Sequence, residues 1–161
     1  MIEAGYIEEV SNQEMDRLLA DLDADEHRVE RSDADETYRF RHRGSDFGQW
    51  CSVLIERRGE RVRLIGEGPL EASGRERRVL QPLTAAEWAR LQAALTRAEF
   101  WRLPSWHDRF GLDGWTWTIE GNRQARYHSS ECWCPEPGEP FHDLGRVFLD
   151  LAGLEMPAHA R

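Results

Sequence analysis

Between Tyr38 and Leu83 the chain strings strand-favouring runs together with only turn residues separating them. A parallel pair needs a crossover of a dozen or more residues, usually a helix, whereas antiparallel neighbours need only a tight turn. This stretch therefore predicts consecutive antiparallel strands. Tyr38, Phe40 and His42 alternate with Arg39, Arg41 and Arg43, the period of two expected of a half-buried strand. The run "GSDFG" supplies turn chemistry. Gln49 to Glu56 is rich in β-formers and apolar on both faces near its end, as an inner strand is. Arg58-Gly59-Glu60 turns into a third run, "RVRLIGEG"; "GPLEASG" reads as loop, and "RERRVLQPL" is the candidate fourth strand.

Two capping boxes mark helices. Ser11 to Glu14 has the Ser-x-x-Glu form, followed by Met15, Leu18, Leu19 and Leu22 at helical spacing, with an end near Asp23. Thr84 to Glu87 repeats the device ahead of Trp88, Leu91, Leu95 and Ala98, with Pro104 as the stop. The acidic segment after the first helix reads as a linker holding a short strand around Arg28 to Arg31. "GWTWTIE" and "ARYHSSECW" read as a hairpin turning through Gly121-Asn122. A last helix begins near Phe141, presents Phe141, Leu144, Phe148 and Leu151, and closes on Gly153 with Leu154 behind it.

This order has no strand–helix–strand alternation. It predicts an α+β fold, a mostly antiparallel sheet of five to six strands with two or three amphipathic helices packed on one face. Residues 1–37 read as an acidic helix and linker, and residues 38–161 as a single α+β domain.

Charge divides the chain the same way. Its 161 residues carry a net charge of −9. Met1 to Thr37 holds thirteen acids against three arginines, and the remainder is nearly neutral. That balance argues against binding nucleic acid, which depends on neutralising phosphates. No run reaches the ~18 apolar residues of a membrane span, and "MIEAGYIEEV" lacks the basic and apolar regions of a signal peptide. A cytoplasmic home is the expectation, and three cysteines, too few to pair completely, agree with a reducing compartment. All 21 basic residues are arginine, so the lysine-based phosphate loops and Schiff-base chemistry are excluded.

The hairpin concentrates unusual side chains. Alternation places Trp115, Trp117 and Ile119 on one face of the first strand. In the second it places Tyr127, Ser129, Glu131 and Trp133 on one face, and His128, Ser130, Cys132 and Cys134 on the other. The Trp/Ile face reads as core beneath the amphipathic helices, with an aromatic binding platform as the functional rival. Cys132 and Cys134, with His128 and His142, form a candidate zinc set, although Cys-x-Cys lacks the usual two-residue knuckle and no second cysteine pair exists. Asp21, Asp23 and Asp25 resemble the opening of a calcium loop but place Glu26 where glycine belongs and Ser32 where a bidentate glutamate belongs. Trp106-His107-Asp108 sets a histidine beside a carboxylate without a nucleophile elbow or a phosphate loop, so no catalytic residue is assigned. Leu112-Asp113-Gly114 reads as turn architecture.

From Thr84 onward, "LTAAEWARLQAAL", "GLDGWTWTIEG", "RYHSSECWCP" and "LGRVFLDLAGL" follow one another in an order that resembles a group of uncharacterised bacterial proteins over residues 84–154. The resemblance implies no activity. In that group the strand bears no cysteines where Cys132 and Cys134 stand here.

Taken together, these features lead to an expectation of a small bacterial protein that binds another protein, of the immunity or inhibitor kind, without a cofactor. Its partner would present a basic surface to Glu8, Glu9, Glu14, Asp16, Asp21, Asp23 and Asp25. The alternatives are a zinc module built on Cys132, Cys134, His128 and His142, and an anion or small-molecule binder using the Arg39/Arg41/Arg43 face.

Overall fold

A computed structural model describes residues 11–24, 26–44, 50–69 and 76–155, with the side chains of 19–24, 69 and 76 outside that description. Strands β1 (Glu36–Gly44), β2 (Trp50–Arg58), β3 (Arg61–Pro69), β4 (Glu76–Pro82), β5 (Trp115–Arg123) and β6 (Arg126–Trp133) form one open sheet in the order β4-β3-β2-β1-β5-β6. Every pairing is antiparallel. Helices α1 (Asn12–Ala24), α2 (Ala85–Arg97) and α3 (Pro140–Ala152) complete the fold, with one 3-10 turn at Phe100–Arg102. The predicted α+β architecture is what the chain adopts. Among the described residues no helix is long and apolar enough to cross a membrane.

Two helices cover one face. Tyr38, Phe40, Val53, Ile55, Leu64, Trp117 and Ile119 project from the strands against Leu91 and Leu95 of α2 and Phe141, Leu144 and Phe148 of α3. Phe40 meets Trp117 edge to face at 5.0 Å and stacks with Phe148 at 6.0 Å. The one polar atom of the Trp117 indole is satisfied, since Nε1 donates to His42 Nδ1 at 2.9 Å. The predicted start of α2 and the predicted close of α3 both form here. The Thr84 hydroxyl accepts from the Glu87 amide at 3.2 Å and the Glu87 carboxylate accepts from the Thr84 amide at 2.8 Å. At the end of α3, Gly153 takes a left-handed conformation and the Leu154 amide donates to Leu149 O at 3.0 Å.

The third helix, α1, lies across the opposite face. Met15 and Leu18 pack with Leu80 on a small cluster of Val29, Leu54 and Ile65. The Ser11 hydroxyl caps α1 by accepting from the Glu14 amide at 3.2 Å.

Four local expectations are corrected. Residues 26–31 form turns, not a strand. Their carbonyls face side-chain donors instead of a ladder: Asn122 Nδ2 donates to Val29 O and Glu30 O at 3.0 Å each, and Arg39 Nη2 donates to Glu26 O at 3.2 Å. For the same reason β1 is not half-buried. Flanked by β2 and β5 and covered by that turn, it buries Arg39 as completely as Tyr38. The helix α2 stops at Arg97, well short of Pro104, because Glu99 adopts a left-handed conformation (φ 49°). The following 3-10 turn then drops Phe100 into the core against Tyr38.

The fourth correction concerns the hairpin. It turns at Gln124 and Ala125, both at positive φ (50° and 62°), as a two-residue type I′ turn demands. Gly121 lies inside β5 because a Cβ there would sit 2.7 Å from Phe100 and 2.9 Å from Tyr38. Its absent side chain makes room for the core.

Candidate functional site

The 105–114 segment leaves the core and runs along the free edge of β6. Glu131 N donates to Ser105 O and His107 N donates to Glu131 O, both at 3.0 Å, so Trp106 bridges to Glu131 as a fragment of parallel strand. The His107 ring lies 5.0 Å from Phe141, and its Nε2 is 3.0 Å from the Ser130 hydroxyl, which in turn donates to Pro104 O at 2.8 Å. Burial lowers the His107 pKa from its ordinary value, partly countered by Glu139. Ser130 is fully buried, so this His–Ser contact is a structural tie with no access for a substrate.

Further along, the Arg109 guanidinium grips Glu139 with both arms, at 2.6 and 3.2 Å. That pairing holds the Glu139 carboxyl below the usual carboxylate range. Gly111 and Gly114 then lay the backbone against the Trp133 indole. A Cβ on Gly114 would stand 2.6 Å from Cys134 Sγ and 2.9 Å from Trp133, and one on Gly111 would overlap the ring. The two glycines of "GLDG" are therefore required by close approach.

This anchored loop exposes what a folded chain usually hides. Phe110 is 79% exposed, Leu112 is 99% exposed and Trp106 is 48% exposed. Among the described residues the only other large exposed hydrophobic is Tyr127. Asp108 and Asp113, also exposed, stand between these side chains in sequence. An apolar set on a pinned loop binds with little ordering cost and supplies anchor-type residues.

Beside the loop the sheet face opens into a groove of about 320 Å³, lined by Arg43, Thr116, Thr118, Glu131, Trp133 and the 111–114 backbone. A second cleft, of about 260 Å³, lies between the end of α2 and the 3-10 turn, walled by Tyr38, Leu95, Phe100 and Trp101.

The residues singled out in the sequence are scattered. His128 and Cys132 lie four positions apart on β6, roughly 13 Å at strand rise. His128 packs its ring on Phe100 at 5.2 Å, and His142 stacks on Trp117 at 5.1 Å. Cys132 is buried with its thiol pushed up to about 11, chiefly by burial, while Cys134 sits past the strand end in a left-handed conformation. Among the described residues no three His, Cys, Asp or Glu side chains converge where a metal ion could be held.

Arg39 and Arg41 face the protein's own Glu120, at 2.7 and 3.4 Å, and Tyr127 donates to the same carboxylate at 2.9 Å. Arg43 lines the groove. Of the acidic set, Glu8, Glu9 and Asp25 lie outside the described residues, and Asp21 and Asp23 are in α1 with undescribed side chains. Glu14 is exposed, and Asp16 accepts from Arg78 at 2.6 Å.

This loop was passed over at the level of sequence. The signal that could have drawn attention to it is that Trp106, Phe110 and Leu112 fit neither a helical nor a strand period and stand among Gly, Asp and Pro. No protein-family model matches the chain, and no curated protein sequence matches it at a significant level.

Proposed function

We propose that the chain is a small cytoplasmic bacterial protein that works by binding another protein, of the immunity or inhibitor kind. The 105–114 loop is its anchor and the acidic N-terminal segment its electrostatic guide. One observation carries the reading: a loop fixed by a guanidinium–carboxylate fork, an edge-strand bridge and two glycines on an indole presents Trp106, Phe110 and Leu112 to solvent. Exposing these side chains contributes nothing to the protein's own stability. It suits a partner surface that will bury them. The charge of the first 37 residues favours a basic partner and a fast encounter.

The test is capture from a lysate of the source organism at low and high salt, using the wild-type chain beside Trp106→Ser/Phe110→Ser/Leu112→Ser. The proposal predicts one stoichiometric partner that the triple variant fails to hold and that high salt weakens. A partner held equally by both chains would remove the loop from the interface.

A further inference from the structure

We infer that the groove beside the loop seats a guanidinium group, an arginine side chain of the bound protein. The inference rests on the protein-binding reading above and gives that contact a second anchor.

The register builds the seat. Thr118 pairs with Glu131 and Thr116 with Trp133, so two hydroxyls, a carboxylate and an indole share one face as a two-by-two patch. Neighbours lie ~5 Å apart across the strands and ~7 Å along them. Of these groups, the Glu131 carboxylate accepts from the Thr118 hydroxyl at 3.2 Å. An ionised carboxylate has about four acceptor sites, which leaves capacity for a further pair of donors. Thr116 adds an acceptor oxygen, and Trp133 lines the groove with the part of its ring that the 111–114 backbone leaves uncovered, against which a planar cation can pack.

A guanidinium satisfies all of these at once, being flat, permanently charged and able to present two parallel N–H donors to one carboxylate. An ammonium offers a point charge and no plane to stack. Arg43 closes the groove from β1, where it neighbours Thr116. A bare anion would meet the Glu131 carboxylate on the floor of the groove.

The site can be tested without the partner, by NMR titration of the full chain with N-acetyl-L-arginine amide. The expected result is a saturable shift of the Trp133 indole N–H and the Thr116 and Thr118 amides, with a dissociation constant on the order of millimolar. The same titration with N-acetyl-L-lysine amide should be several-fold weaker. Glu131→Gln should weaken the arginine probe about tenfold. Thr116→Arg, which places the chain's own guanidinium in the groove, should block it even if the first variant folds poorly. An absence of saturable shifts, equal binding of the two probes, or full affinity in Glu131→Gln would overturn the assignment.

Failure here is separable from failure of the wider reading. If the probe does not bind but the loop variant still loses its partner, the seat is wrong and the interface stands. If the probe binds and the loop variant keeps its partner, the interface is wrong.

Discussion

The two faces of the sheet solve the same burial problem with different chemistry. Under α2 and α3 the solution is dry: Phe40, Trp117, Phe148 and their neighbours interlock as rings and aliphatic chains. On the other face, Arg39 and Glu120 are both buried and hold each other at 2.7 Å, with Tyr127, Arg41 and the 26–31 turn completing the network. The first kind of burial tolerates error in proportion to lost volume. The second fails abruptly when one partner goes, because the remaining charge stays buried. The dry face is covered by α2 and α3, whereas the other face carries α1 over Leu54 and Ile65 and is left partly open where the groove and the 105–114 loop meet. Function is therefore expected on the polar face.

The largest effect expected is from Trp117→Ala, a destabilisation of about 4 kcal/mol by urea denaturation, since a fully buried indole leaves a cavity that the rigid sheet cannot close. Glu120→Ala should cost about 3 kcal/mol in the same assay. Combining it with Arg39→Met should recover part of that loss, whereas two dry-face truncations would not compensate each other. A double variant no better than Glu120→Ala alone would erase the distinction between the faces.

Acid provides a smaller effect. Burial depresses the pKa of His107, His128 and His142. Each is therefore more readily protonated in the unfolded chain. Their contribution is fully present above the ordinary histidine value and is lost as pH falls from there through the depressed folded values. The urea midpoint should be lower at pH 5 than at pH 7, and His128→Gln should narrow that difference. The smallest effect is a gain. Ala125→Gly relieves a left-handed residue in the hairpin turn and should stabilise by about 1 kcal/mol, read as a rise in melting temperature.

How far the sequence alone reached follows from what each signal measures. Local chemistry was readable: the Thr84–Glu87 capping box of α2, the left-handed close at Gly153 and the strand runs all appear where side-chain type dictates backbone. The misread positions depend on distant neighbours. Gly121 looks like a turn residue until Phe100 and Tyr38 are seen to need its space, and Asn122 until the Val29 and Glu30 carbonyls are seen beneath it. Arg39 alternates like a solvent-facing residue, and nothing near it in sequence announces Glu120, 81 positions away. The site suffered the same blindness. Cys132 and Cys134 drew attention by type, whereas the loop stands out by exposure, a property that only the folded chain fixes.

The measurement that tests the central claim most directly is hydrogen exchange of the chain with and without its captured, purified partner. The account predicts added protection over residues 105–114 and along β6 from Glu131 to Trp133, with α2 and α3 unchanged. Protection confined to the helical face, with the loop exchanging as freely as before, would contradict it.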